Sequence, residues 1–284
     1  MFESISIIGV GLIGGSIAKS ARERGIAKRV IGYSRNPTNL EYGKNNGLLD
    51  EIASNLEQAV SASSFVIFST PVNEIAKQII HTREKFLPGT LVTDVGSTKA
   101  KIVEQLDGKL PIGVEFVGSH PLAGSEKSGP QYADSQLFQG RWVIITPNPE
   151  SMNAGYPNQK VELLTNFWKA LGSRVQIMDA QKHDQILGYT SHLPHLLAAA
   201  LSGSLPKDWS DFTATGFRDT TRIAAGDPKL WTDIFLNNRD WVLDHLQTWE
   251  NHLGIFRQAL VEKNAELMKS WLLQAKKVRD DLGS

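Results

Sequence analysis

Over roughly the first 180 residues, short apolar runs alternate with stretches in which apolar side chains recur every three or four positions. The runs at 4–8, 29–33, 65–69, 91–94, 116–118 and 142–146 read as strands. Segments 14–24 and 72–86 carry the helical period. Such alternation predicts βαβ units and a mostly parallel sheet. Residues 148–160, NPESMNAGYPNQK, are polar and turn-rich and read as a loop. A helix over 161–171 and a strand over 174–178 follow. Beyond residue 180 only the helical period remains, over 187–201, 230–256 and 262–282. The pattern therefore predicts an α/β sheet domain over 1–179 and an all-helical domain over 180–284.

Composition narrows the function. The 284 residues carry 30 Lys+Arg against 30 Asp+Glu, so bulk charge gives no reason to seek nucleic acid or an anionic membrane. With 41% hydrophobic residues the chain has material for real cores. There is no cysteine, which excludes disulfides, thiolate metal sites and a cysteine nucleophile. The N-terminal stretch lacks a basic region, and no run approaches the ~18 apolar residues of a membrane helix. A soluble, cytoplasmic protein is expected.

Chemistry enters at the end of the first strand. Gly9-Val10-Gly11-Leu12-Ile13-Gly14 matches G-x-G-x-x-G between a strand and a helix. Gly9 permits the tight turn, Gly11 lets a pyrophosphate approach, and Gly14 permits close helix–strand packing. The helix N-terminus, at Leu12 and Ile13, offers N–H groups to phosphate. This predicts a Rossmann-type dinucleotide-binding domain, with Thr70 and Pro71 after the third strand as further cofactor contacts. The second strand ends in Ser34-Arg35-Asn36 rather than in the carboxylate that selects NAD. Arg35 can pair with a 2′-phosphate and Ser34 can donate to it, so the expected cofactor is NADP, with NAD as the alternative. An ordinary solvated arginine is the plain reading of Arg35.

Two polar segments follow later strands: Asp94-Val95-Gly96-Ser97-Thr98-Lys99 and Gly118-Ser119-His120-Pro121. Open α/β sheets deliver ligand-facing residues at these strand ends. His120, at a loop mouth, suits proton removal from an alcohol; alternatively it hydrogen-bonds a neighbouring loop.

Together VTDVGSTK (92–99), GSHPLAGSEKSG (118–129), SHLPH (191–195) and GFRDTTRIAAGDPKLW (216–231) resemble the prephenate/arogenate dehydrogenase family of tyrosine biosynthesis. The resemblance covers residues 5 to about 240. It implies His120 as the base that takes the ring hydroxyl's proton. It implies Ser97 as a bridge between that hydroxyl, the histidine and the nicotinamide. Arg222 would bind a substrate carboxylate. Ser191, His192 and His195 would line the site, Glu126 would stand at its entrance, and Trp231 would wall the pocket, with a reach from the partner subunit as one option. The implied reaction is oxidative decarboxylation of prephenate or arogenate, in a homodimer built through the helical domain. The missing NAD-selecting acid leans the reading toward arogenate, whose ammonium Glu126 or Asp211 could meet. No segment of the βαββαβ regulatory type is evident, so tyrosine feedback through one is not expected.

Other features have plainer readings. His192 and His195 lack a third ligand, so no metal is expected. His183 and Asp184 read first as cap and hinge residues, and second as bordering the site. Asp219 reads first as a structural ion-pair partner of Arg222, and second as the group that orients Arg222. Two rival functions are a β-hydroxyacid or imine reductase, which would want a lysine deeper than Lys182 on the first helix after residue 180, and a non-catalytic NADP sensor.

Overall fold

The structure is a computed structural model that describes residues 2–124, 127–148 and 158–283. Six parallel strands form the main sheet: β1 (Phe2–Ile8), β2 (Ala27–Tyr33), β3 (Glu51–Ile52), β4 (Phe65–Phe68), β5 (Leu91–Asp94) and β6 (Glu115–Phe116). Their spatial order is β3-β2-β1-β4-β5-β6, the doubly wound order that reverses beside β1. The crossovers are α1 (Leu12–Glu23), α2 (Pro37–Asn45), α3 (Leu56–Ser61), α4 (Val72–Thr82) and α5 (Ala100–Leu106).

The strands read as unbroken apolar runs because both faces are covered. Side chains alternate between two cores. Ile5, Ile7, Phe65, Ile67 and Leu91 join one, with Phe138, Phe167 and Trp168. Ile8, Val66, Phe68 and Val92 join the other, with Ile75, Ile102 and Phe116.

One expected strand divides. The run at 116–118 ends in the main sheet, where Val117 N–H donates to the Val92 carbonyl at 2.9 Å. The chain then starts a second sheet of β7 (Gly118–Pro121), β8 (Trp142–Thr146) and β9 (Arg174–Ile177). β7 runs antiparallel to β8, and His120 stands opposite Ile144. His120 therefore sits in a strand, not at a loop mouth. The transition is made at Gly118, where a Cβ would collide with the Thr146 hydroxyl. Helix α6 (Gln159–Ala170), capped by Asn158, packs Trp168 beneath this sheet.

The rest is helical: α7 (Ala180–Leu187), α8 (Leu193–Gly203), α9 (Thr215–Thr221), α10 (Pro228–Asn237), α11 (Arg239–Val261) and α12 (Ala265–Asp281). Two expected helices are interrupted. A π turn, Gly188–His192, precedes α8. The long helix expected over 230–256 breaks at Asn238, whose side chain is spent on other contacts described below. The two-residue β3 carries too little pattern to be read from sequence. Among the described residues, no helix is long and apolar enough to cross a membrane.

Trp168 is fully buried, stacks edge-on with Phe138 at 5.4 Å, and donates its Nε1–H to Ser119 Oγ at 3.2 Å. Trp168→Ala is expected to destabilise the protein by about 3–5 kcal/mol. Urea unfolding followed by circular dichroism reads this as a lowered midpoint; a change under ~1 kcal/mol would contradict the packing described.

Candidate active site

The carboxyl ends of β1, β2, β4 and β5 gather the turn residues expected to meet a dinucleotide. Gly9 adopts φ +100°, and a side chain there would strike the Ser69 carbonyl. A Cβ on Gly14 would strike the Gly9 carbonyl, so helix and strand close only with glycine. Above Gly11 there is open space, and α1 begins with no side-chain cap. The N–H groups at Leu12 and Ile13 thus face a cradle that a phosphate would fill. Pro71 precedes α4, also without a side-chain cap, and Thr70 donates to Gln78 at 2.8 Å. Ser34 Oγ accepts from Asn36 N–H at 3.2 Å. Arg35 is exposed, its guanidinium 3.9 Å from Glu74 on the first turn of α4.

Behind β5 lies a buried polar network. Asp94 accepts from Gly96 N–H at 2.8 Å and Ser119 N–H at 3.2 Å, and pairs with Lys99 Nζ. Ser119 Oγ donates to the Asp94 carbonyl at 2.6 Å. Both members of the ion pair are fully buried. The turn that they brace carries Ser97, half-buried. Among the described residues, no group is hydrogen-bonded to its hydroxyl.

Asp184 reaches this network from α7. It accepts from Lys99 N–H at 2.8 Å and Ala100 N–H at 2.9 Å, capping α5. It also accepts from His183 Nδ1 at 2.7 Å. His183 Nε2 in turn lies 2.9 Å from His120 Nδ1. The cap reading of this pair is corrected: α7 is capped by Asp179, and it is Asp184 alone that caps a helix, α5, while His183 joins Asp184 to His120. Burial pulls the His120 imidazole well below its ordinary pKa of 6.5, and His183, Lys99 and His192 push the same way. Burial also lowers His183, against the opposing pull of Asp184.

The π turn and α8 supply the far wall. His192 is buried, its Nδ1 3.0 Å from Asn238 Nδ2. Asn238 Nδ2 also donates to the Asp184 carbonyl at 2.7 Å. Burial holds His192 down to about 4. His195 stacks on Trp231, ring centroids 3.5 Å apart, and its buried Nδ1 has no partner among the described residues. Trp231 thus meets His195 within the same chain. Gly226 lies against both rings, bringing the segment of Arg222 alongside. Ser191 is half-buried, and Arg222 is exposed. Asp219 and Arg222 form no ion pair; both side chains are exposed, contrary to the plain reading of Asp219. Asp211 is exposed as well. Glu126 lies outside the described residues. Among the described residues, no group of three or more His, Asp or Glu is placed to hold a metal.

Sequence reasoning gave Asp94, Lys99 and Asn238 no role. It also ranked the helix-cap role of His183 and Asp184 above the site. A signal was present: Ala180, His183, Asp184 and Leu187 form the buried stripe of α7, so two polar groups occupy core positions.

Comparison with known proteins decides the family. The family model described as "Prephenate dehydrogenase, nucleotide-binding domain" matches residues 17–177, and "Prephenate dehydrogenase, dimerization domain" matches residues 179–274. The chain belongs to the prephenate dehydrogenase family. Prephenate dehydrogenase of Bacillus subtilis is 35% identical over 99% of this chain and 76% of its own length. Cyclohexadienyl dehydrogenase of Zymomonas mobilis is 30% identical over 98% and 96%. The crystal structure of prephenate dehydrogenase from A. aeolicus, in complex with hydroxyphenyl propionate and NAD+, superposes with a TM-score of 0.91 at 33% identity over 99% of both chains. The protein is thus an oxidoreductase of the tyrosine-biosynthetic prephenate dehydrogenase family that uses a nicotinamide dinucleotide. The nucleotide-binding match begins after the glycine turn, so that turn rests on its own geometry. A 3-hydroxyisobutyrate dehydrogenase of Mycobacterium tuberculosis, at 12% identity and TM-score 0.53, shares the fold alone. Lys182, the lysine weighed for the reductase rival, is exposed and bonds Gln185.

The lowered histidines predict acid sensitivity. A histidine held neutral when folded binds its proton more readily when unfolded, so its stabilisation is full above pH 6.5 and is lost as pH falls toward the folded value. For His192, between 6.5 and about 4, this amounts to about 3 kcal/mol. Urea midpoints are expected to fall as pH drops through this window, and less steeply in His192→Gln. Equal slopes in both proteins would contradict the burial of His192.

Proposed function

We propose that this prephenate dehydrogenase family member catalyses NADP-dependent oxidative decarboxylation of prephenate or arogenate. The observation that carries the reading is His120: half-buried on β7, joined through His183 to Asp184, with its imidazole pulled well below the ordinary 6.5 by burial. A neutral imidazole at that place is fit to accept a hydroxyl proton.

Gly9, Gly11, Leu12, Ile13, Gly14, Thr70 and Pro71 would hold the cofactor, with Ser34 and Arg35 on the 2′-phosphate. A bound nicotinamide supplies the hydride acceptor. His120 takes the proton of the ring hydroxyl, and Ser97, on its braced turn, bridges the hydroxyl to His120. The carbon that bears the hydroxyl gives up its hydrogen as hydride and its C–O bond becomes double; the ring's C–COO⁻ bond then breaks, CO2 leaves, and the released electron pair aromatises the ring and returns the C–O bond to single, as a phenolate that a proton completes. Arg222 clamps a substrate carboxylate as a bidentate fork that lysine could not imitate. Ser191, His192, His195 and Trp231 wall the substrate and exclude water, with Glu126 at the entrance. Aromatisation supplies driving force, so the chain mainly orients and desolvates.

Support for NADP is the absence of a carboxylate after β2 and the presence of Arg35. Glu74 beside Arg35 tempers that preference, and the NAD+ held by the A. aeolicus relative keeps NAD as the alternative. We divide the chain into a nucleotide-binding domain over 1–179 and a helical substrate and dimerisation domain over 180–284, and place the reaction in the cytoplasm. A homodimer is supported by the dimerization-domain match and by apolar side chains that α11 and α12 leave exposed, among them Leu243, Ile255, Leu272 and Leu273.

Steady-state assays with prephenate or arogenate against NAD or NADP test this reading. Turnover with at least one substrate is expected, falling by ~10²-fold or more in His120→Asn. Arg35→Ala is expected to weaken NADP about 10-fold relative to NAD, the loss of one charge-assisted phosphate contact. Absence of turnover in all four combinations would contradict the dehydrogenase reading, and an unchanged cofactor ratio in Arg35→Ala would contradict the NADP assignment.

A further inference from the structure

Asp184 bonds His183, which meets His120, and Asn238 bonds His192, and neither Asp184 nor Asn238 has a part in the reaction described above. The hydrogen-bond chain has only one consistent assignment for neutral rings. A carboxylate is acceptor-only. His183 must therefore carry its proton on Nδ1 to meet Asp184 at 2.7 Å. That leaves His183 Nε2 as an acceptor, so His120 must carry its proton on Nδ1 to meet it at 2.9 Å. The free lone pair of His120 then falls on Nε2. Independently, the Asn238 amide N–H donates to His192 Nδ1 at 3.0 Å, which leaves the His192 proton on Nε2 as a donor. The same amide nitrogen donates to the Asp184 carbonyl at 2.7 Å.

We infer that Asp184 and Asn238 act as one positioning unit that sets the tautomers of His183, His120 and His192. Its effect is to leave His120 a proton acceptor and His192 a hydrogen-bond donor. The inference rests on His120 being the base. Asp184 further ties the base to the Ser97 turn, because its carboxylate also caps α5 through Lys99 and Ala100 N–H. Tautomer control of this kind is a property of the group one shell behind a histidine. An amide in place of Asp184 brings its N–H either against Ala100 N–H or against both Lys99 N–H and His183 Nδ1. Where it faces His183, the ring turns over its tautomer, His120 must accept on Nδ1, and Nε2 becomes protonated and useless as a base.

The test uses the full-length protein with Asp184→Asn and Asn238→Ala beside His120→Asn. In Asp184→Asn, kcat is expected to fall by ~10²-fold or more, while KM for the dinucleotide stays within about threefold because no residue of the glycine cradle is among the partners of Asp184. In Asn238→Ala, KM for the ring substrate rises more than kcat falls. Nitrogen-15 spectra of selectively labelled wild-type protein at pH 7.5, with His120→Asn for assignment, should show His120 and His183 protonated on Nδ1 and His192 on Nε2. This last readout needs no variant, so it decides the matter if Asp184→Asn fails to fold. His120 protonated on Nε2 in the wild type, or a folded Asp184→Asn with kcat within threefold, would overturn the inference. If instead His120→Asn itself keeps full activity, it is the identity of the base that fails, and the spectra still report the tautomers.

Discussion

A carboxylate removed from water needs donors to replace its hydration, and two such carboxylates organise this protein. Asp94 and Asp184 are both buried, and each is met by three N–H or N⁺–H groups. The donors come from different parts of the chain: the turn after β5, the start of α5, β7 and α7. Satisfying the two charges therefore fixes where those elements meet. The turn bearing Ser97 is held at both ends, by Asp94 at its start and by Asp184 at Lys99. His120 is reached through His183. Charge burial, which costs stability when unmet, here determines the relative placement of hydroxyl and imidazole.

The sheet supplies the other half of the site. Parallel strands direct their carboxyl ends to one edge, and the order reversal beside β1 opens a crevice there. Glycines at 9, 11 and 14 let backbone take the place of side chain at the crevice floor. The helical part closes over this edge through α7, the π turn and α10. A π turn widens the helix by one residue per turn, and such turns concentrate at functional sites. Here it carries Ser191 and His192 and leads into the helix bearing His195. The fold-level likeness to hydroxyisobutyrate dehydrogenase shows how little of this specificity resides in the architecture alone.

Much of this was legible in the residues. Period-2 and period-3.6 patterns located the main strands and helices because their burial is strong and local. The glycine turn was legible because each glycine answers a steric demand. The second sheet was not, since Gly118 through Pro121 has the pattern of a strand end, and only the pull of Asp94 on Ser119 shows that the chain leaves one sheet for another. Asn238 was invisible for a similar reason: it interrupts an otherwise continuous helical period, and its two acceptors lie 46 and 54 positions away in sequence. Trp231 could be placed near the site from its motif, but its stacking on His195 depends on the turn at Gly226. Long-range polar contacts between elements leave little periodic trace, and those are the contacts that build the site.

The central claim is that His120 works as a neutral base because burial and its neighbours keep it unprotonated. The most direct measurement is kcat/KM of the wild-type enzyme for the ring substrate against pH, from 5 to 9, with the dinucleotide saturating. The account predicts a plateau across neutral and mildly alkaline pH, with the fall confined to the acid side and its midpoint below 6.5. A kcat/KM still climbing between pH 7 and 8.5 would place the base's protonation above its ordinary value and contradict the account.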